Sequence, residues 1–398
     1  MKGDFEIKLI ARALKKLKKR ALRFSPYYRK PNNTIRKKRS EQPFVITIAG
    51  DTSLGDNDLN QLGNKRLLRR LRWWPAQFTR RLKPLVSKSD YFILNLETVL
   101  ENEPAEEPLE GKKYLKWDNP KRTLKILRKL GVTAVTLANN HVMDYGSGLM
   151  LQTIERIKHQ NIKHLGAGKD KKEASAPLIL RLRGEYSKRK IYIINAMRAS
   201  KRYREQYDYF AGPKSPGANL IDKRLYRRIS RLRKRNQDSI IIVCPHWQGL
   251  DYRWPSGRVL RIGQRFIDSG ADFVIGHGAH IMQQIERYKG GFIAYSLGNF
   301  VFNTEPWVEM EAPPYSAVAR ISLFEGRQGW RLGCKFYLIV TNNHKQDYKP
   351  RPVSDDEAAD AYKILAAHAS DPEEFTKAFK LAQDKLGWHL AWAQKQYV

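Results

Sequence analysis

Cysteine is scarce: two residues, Cys244 and Cys334, in a chain of 398. That excludes a disulfide framework. Cys244 sits in an apolar run and reads as a reduced core residue, which favours the cytosol. Long apolar runs are absent as well. No stretch offers the eighteen or so uninterrupted apolar residues of a spanning helix. The N-terminal residues are charged throughout and lack an apolar signal core. A cytoplasmic protein, or one held peripherally at the inner face of a membrane, is therefore expected. Acidic residues are the minority charge, 40 Asp and Glu against 74 Lys and Arg, for a formal net charge of +34. That imbalance points to a polyanionic partner or an anionic membrane surface, although not to any fold. There are no internal repeats, and no recognised nucleic-acid module is present.

Hydrophobic residues make up 41% and aromatics 11% of the chain, a globular composition that excludes general disorder. The length suits one large core or two modest ones. Three parts are expected. Residues 1–42 form a basic N-terminal arm and linker, 43–350 the main domain, and 351–398 a C-terminal helical extension. The first 40 residues hold fifteen Lys and Arg and two acids. Ile7, Ile10, Ala13, Leu14, Leu17 and Ala21 recur there at helical spacing among lysines. Such a helix suits a solvated tail, an anionic membrane surface or nucleic acid. Residues 64–83 are a second basic cluster, with Trp73 and Trp74 inside it.

The main domain repeats one pattern five times: a short β-branched run, then polar residues that do not suit a buried strand. Phe44–Ala49 runs into Gly50-Asp51, and Tyr91–Leu94 into Asn95-Leu96-Glu97. Val132–Leu137 runs into Asn139-Asn140-His141, with Asp144 close behind. Ile240–Val243 runs into His246-Trp247, and Phe273–Ile275 into Gly276-His277-Gly278-Ala279-His280. A further run at Phe292–Tyr295 leads to Asn299. Helices are expected at 120–130, 149–157, 220–235 and 259–269, and two more after Ser354 and Asp371, where a capping box and an N-cap followed by Pro begin them. Residues 199–216 read as a long lid or substrate loop. Strands alternating with helices imply a buried sheet whose carboxyl rim gathers ligand-binding residues. That rim set is Asp51, Glu97, Asn140, His141, His246, His277 and His280. Carboxylates, an amide oxygen and imidazoles together suit Mn, Fe or Zn, as one or two ions, better than Ca or a thiolate zinc site. Two ions about 4 Å apart can clamp a phosphoryl group.

At these residues the sequence resembles the CapA family, named for the poly-γ-glutamate capsule synthesis protein. The landmarks are GDTSLGD at 50–56, NLE at 95–97, LANNHVMDYG at 137–146, the block from His246-Trp247 to Asp251-Tyr252, GADFVIGHGAH at 270–280 and YSLGNFVF at 295–302. The resemblance implies an α/β (α+β) fold: a four-layer metallophosphatase-like β-sandwich flanked by helices, similar to calcineurin-like metallophosphoesterases. It implies Asp51, Glu97, Asn140, His246 and His280 as metal ligands, His141 as general acid, and Asp144 in the same landmark. Asn139, Trp247, Asp251, Tyr252 and Asn299 are candidate substrate-binding residues. Three positions depart from the pattern. Ser53 stands where a second His is usual, Gly278 follows His277 where two adjacent histidines are usual, and Asp251 replaces a Glu. The expected function is a metal-dependent hydrolase of bacterial capsule or exopolymer biosynthesis. The rival readings are a non-enzymatic accessory protein that binds an acidic polymer or a membrane-bound synthase, and a phosphodiesterase or nuclease acting on nucleic acid.

Overall fold

Alternation along the strands fixes the layers. In a computed structural model of the chain, the described residues are 34–35, 43–61, 63–112, 114–183, 188–247, 254–304, 312–326 and 329–397. The basic helix expected in the N-terminal arm, and Asp251 and Tyr252, lie outside them. Tyr91 and Ile93 face one core while Phe92 and Leu94 face another, because successive side chains of a strand point to opposite sides. Ile191 and Ile193 share the first core with Ile240 and Ile242, whereas Tyr192, Ile194, Ile241 and Val243 face a third. The shared core therefore lies between two sheets. The other two cores lie under helices on their outer faces. The result is a helix–sheet–sheet–helix α/β sandwich, as the resemblance implied.

Among the described residues one sheet has ten strands and the other seven. In the larger, strand Phe44–Ser53 runs parallel to Tyr91–Leu96, and that strand parallel to Ala134–Thr136. In the smaller, Lys188–Met197, Ile240–His246, Phe273–Ile275 and Gly291–Ala294 are successive parallel neighbours. Parallel strands end on the same side, so their carboxyl ends share one rim. The helices between them are set by local signals. Helix Pro120–Leu130 begins where the Asn119 side chain accepts the Arg122 N–H, and stops at Gly131 with φ 79°. Leu225 and Ile229 bury one face of the otherwise basic helix Lys223–Arg235.

Three expectations need correction. Thr34–Ile35, in the expected linker, is a short strand paired with Arg181–Leu182. Residues 199–216 are not the long irregular loop expected. They include helix Lys201–Glu205, and Tyr203, Tyr207 and Tyr209 are buried in edge-to-face contact in the helix-side core of the larger sheet. The C-terminal helices are present as Asp355–Ala367 and Pro372–Ala378, the first with its capping box. The chain then turns to strand. Phe379–Asp384 and Gly387–Tyr397 form a hairpin whose second strand pairs with Gly329–Val340. Phe379, Leu381, Trp388, Leu390 and Trp392 fall at even spacing, a strand period hidden among Lys and Gln. Trp392 packs on Phe292 at 5.3 Å and on Phe273 at 5.9 Å between ring centroids, in the inter-sheet core.

Trp392→Ala should lower the unfolding free energy by about 3–5 kcal/mol. Trp73→Ala, whose side chain is 73% exposed, should stay within about 0.5 kcal/mol of the parent. Chemical denaturation followed by circular dichroism measures both, and equal effects would place the hairpin outside the core. The capping box carries a pH signature. The paired Arg351 guanidinium draws the Glu357 carboxyl down from 4.5 to about 2. A depressed carboxylate pKa stabilises above the unfolded value and loses that contribution as pH falls through the folded one. The melting-temperature deficit of Glu357→Gln, worth about 1 kcal/mol at neutral pH, should therefore shrink between about pH 4.5 and 2. A deficit independent of pH would contradict this origin.

Candidate metal centre

Each rim residue is delivered by a strand end. Gly50 makes a bulge in its strand, where the register against the next strand shifts between Ala49 and Asp51. A side chain at Gly50 would collide with the Gly298 carbonyl. The bulge turns Asp51 to the rim. Glu97 follows strand Tyr91–Leu96. His246 closes strand Ile240–His246, and His280 lies in the loop after Phe273–Ile275. His280 has φ 59°, a left-handed conformation that a non-glycine residue adopts at a cost. Asp51, Glu97, His246 and His280 are all buried.

One atom organises the group. Glu97 Oε1 is buried and has no hydrogen-bond partner. Three imidazole Nε2 atoms surround it: His246 at 3.8 Å, His280 at 3.8 Å and His141 at 3.9 Å. Hydrogen bonds elsewhere set the ring tautomers. His280 Nδ1 donates to Asn299 Oδ1 at 2.9 Å, and His141 Nδ1 donates to Asp144 Oδ2 at 2.7 Å. Both rings therefore turn a bare Nε2 lone pair toward a bare carboxylate oxygen. These acceptors converge with no donor turned to any of them, since the one ring N–H beside them, on His246 Nε2, is committed elsewhere. His246 Nε2 donates to Asn140 Oδ1 at 2.6 Å, which brings the amide to the same place. Asp51 closes the group, with its Oδ2 3.5 Å from His280 Nδ1.

The electrostatics agree. Burial, then the neighbouring Asp51 charge, pushes the Glu97 carboxyl well above its ordinary range. Burial drives His246 down to about 3 and His141 to about 4, and lowers His280. Burial also opposes ionisation of Asp51, but the imidazoles around it and the Asn95 amide hold its carboxyl below the usual value. Neutral imidazoles are the form that binds metals. Ligand atoms of Asp51, Glu97 and His280 lie within 4.8 Å of one another. Buried mixed oxygen and nitrogen acceptors that lack a donor fit a borderline divalent cation.

The remaining candidates fall into different roles. His277 is in the neighbourhood, but its Nε2 donates to the Ala49 carbonyl at 3.1 Å, so its ring ties the two sheets together. Gly278 N–H donates to Asp51 Oδ2 at 3.0 Å. With φ 103°, and with a hypothetical Cβ only 2.9 Å from His246 Nε2, position 278 has no room for a second histidine. Asn139 is buried and donates to Asn95 Oδ1 at 3.0 Å and to the Leu96 carbonyl at 2.8 Å, a brace rather than a substrate contact. Trp247 is buried in the outer core, with its indole N–H on the Tyr295 carbonyl. Asn299 orients His280. Ser53 turns away from the group and donates to Asp118 Oδ2 at 3.1 Å. Burial, then the charge of Asp56, raises Asp118 to about 7.

Three contributors went unassigned from sequence. Asn95 Nδ2 donates to Asp51 Oδ1 at 2.7 Å and to Glu97 Oε2 at 3.2 Å, and so fixes both carboxylates. An Asn ending an apolar strand was the available signal. Lys112 and Lys116 come from a loop without periodicity. Lys112 Nζ donates to Asp144 Oδ1 at 2.5 Å, and the Lys116 backbone N–H to Asp144 Oδ2 at 2.7 Å. Lys116 Nζ lies 4.9 Å from the Phe302 ring centroid, and that ring lies 4.6 Å from His280.

A family model described as bacterial capsule synthesis protein PGA_cap matches residues 45–304, which include every rim residue above. The chain is 28% identical to the capsule biosynthesis protein CapA of Bacillus anthracis over 67% of this chain and 62% of that protein. It is 28% identical to the PGA biosynthesis protein CapA of Bacillus subtilis over 56% of each. The chain thus spans about six tenths of the length of these relatives. Among solved structures, TT1561 of Thermus thermophilus aligns over 69% of this chain and 93% of its own, at 8% identity and a TM-score of 0.34.

Titration calorimetry with Mn²⁺ or Zn²⁺ should show one ion bound per chain. Glu97→Gln should abolish that binding, and Asn95→Ala should weaken it about 10–100-fold by releasing both carboxylates. Equal affinity in all three proteins would remove Glu97 Oε1 from the centre.

Proposed function

The chain belongs to the PGA_cap family of bacterial capsule synthesis proteins, and on that premise we propose that it is a metal-dependent hydrolase of capsule or poly-γ-glutamate exopolymer biosynthesis. The observation that supports this reading is the bare, buried Glu97 Oε1 ringed by three imidazole nitrogens. Asp51, Glu97, Asn140, His246 and His280 are the residues that would hold the ion, of the Mn, Fe or Zn class. Bound there, it would supply Lewis-acid polarisation of a substrate oxygen.

The protein's own groups supply the proton transfer and the orientation. His141 presents Nε2 to the centre, because its Nδ1–H is committed to Asp144. A proton taken up at Nε2 leaves an imidazolium that faces the Asp144 carboxylate, and the same atom then protonates a leaving group. Lys112 and the Lys116 N–H hold Asp144 in place. The ammoniums of Lys112 and Lys116, each 7% exposed, pair with Asp144 and Asp58 beside the site, which lowers the repulsion that an anionic substrate such as an acidic polymer would meet. Around the loop, Tyr209 Oη donates to the Asn139 carbonyl at 2.8 Å and keeps Asn140 and His141 at the rim.

The test is turnover by metal-loaded protein on poly-γ-glutamate and on generic phosphomonoesters and phosphodiesters. His141→Ala should cut kcat by about 10²–10⁴-fold while retaining bound metal, and Asp51→Ala should lose both. Full activity in either variant would overturn the assignment. Turnover of nucleic acid alone would favour the nuclease reading. Metal binding without turnover would favour the accessory-protein reading.

A further inference from the structure

The second basic cluster plays no part in the centre described above. Residues 59–89 contain nine Lys and Arg and no Asp or Glu. At its middle stand two adjacent tryptophans, Trp73 at 73% and Trp74 at 64% exposure, the most exposed large hydrophobic side chains among the described residues. Indoles are rarely left in water without use, and two together flanked by cations form an amphipathic patch. The exposed cations lie on both sides: Arg66, Arg69 and Arg72 before the pair, and Arg80, Arg81 and Lys83 after it.

The platform beneath is held firmly. Helix Lys65–Trp73 starts where the Asn64 side chain accepts the Leu67 N–H at 3.1 Å, and it buries Leu67 and Leu71. Arg70 pins its end to the body, donating to Asp347 Oδ1 at 2.7 Å and to the Asp347 carbonyl at 3.0 Å while lying over the Phe78 ring. Asp347 also pairs with Lys349 at 2.8 Å and lies 3.8 Å from Arg66, so this acid is already neutralised. Pro75 starts the next turn directly after Trp74. The indoles are thus presented on a rigid element, and their exposure is built in.

We propose that Trp73 and Trp74, with the cations around them, dock the protein on an anionic phospholipid surface. Indoles prefer the boundary between headgroups and acyl chains, where the ring is apolar and its N–H stays wet. Each nearby Lys or Arg adds attraction to anionic headgroups that falls off within a Debye length. A soluble polycarboxylate such as poly-glutamate would use the same cations but has no apolar or stacking group to place on the two exposed rings, so the pair favours a bilayer over such a polymer. Single-stranded nucleic acid, whose bases stack on aromatic rings, is the rival that the test separates. Among the described residues no helix is long and apolar enough to cross a membrane. Surface docking by this patch requires none.

The test is flotation of the full chain with phosphatidylglycerol–phosphatidylcholine vesicles and with phosphatidylcholine alone. The parent should bind the anionic vesicles, and brominated acyl chains should quench its tryptophan emission. W73A/W74A should weaken vesicle binding roughly tenfold or more. W73F/W74F should retain most of the binding and lose most of the quenching. R69Q/R72Q should weaken binding chiefly at low salt. Unchanged melting temperatures would show that the variants remain folded. Binding untouched in W73A/W74A, or quenching that persists in W73F/W74F, overturns the proposal. So does an equal Trp dependence for single-stranded DNA or soluble poly-glutamate.

Discussion

A carboxylate oxygen without a donor, buried among imidazole lone pairs, is the constraint around which the two sheets are arranged. Ionised Glu97 in that position without a counter-charge would cost several kcal/mol. A proton relieves the cost by giving up the charge, which is the direction in which burial and Asp51 drive it. A cation relieves it by keeping the charge. Other features of the rim prepare for the second outcome. Asn95 spends its amide on both carboxylates. Gly278 gives its N–H to Asp51 in a conformation that only glycine adopts readily. His280 accepts a left-handed backbone to aim its ring. Strain of this kind persists only where the surroundings over-determine it.

The layers follow from the same demand. Asp51, Glu97 and Asn140 come from the larger sheet, while His246 and His280 come from the smaller. Neither sheet carries a complete set, so the inter-sheet core that packs Ile46, Ile93, Ile193, Ile242 and Phe292 together also sets the register of the candidate ligands. The His277 ring reaches across from the smaller sheet to the Ala49 carbonyl, one residue before the bulge. Damage to the inter-sheet core should reach the centre by this route even where no ligand is touched.

The strand-then-polar pattern made most of the rim legible in sequence, because parallel strands put their carboxyl ends together whatever lies between. Residue type alone could not separate a ligand from a brace. His277 and His280 are three residues apart in one loop, yet only His280 turns an unused nitrogen to Glu97, because a backbone carbonyl takes the other ring. Asn139, Asn140 and Asn95 differ in the same way. Trp247 looked like a binding residue because it follows His246, but strand alternation sends it to the opposite core. The C-terminal hairpin was hidden because Lys, Ala and Gln, residues equally at home on a helix, stand among its apolar positions. Its apolar positions are five residues spread over two strands, too few for the period to stand out.

Charge is divided in space more sharply than composition suggests. Near the centre the acids are Asp51, Glu97 and Asp144, with Asp56 and Asp58 on helix Asp56–Gln61 and Asp118 on strand Trp117–Asp118, while the bases Lys112, Lys116 and Arg122 are each already paired to one of them. Among the described residues, exposed cations stand on helices such as Lys65–Trp73 and Lys223–Arg235. An anionic partner would meet these cations before the centre, and a cation bound among the carboxylates would reverse the sign of the interior at that point. Among the described residues a basic exterior and a carboxylate-lined centre can coexist, because the acids and bases near the centre are already paired with one another.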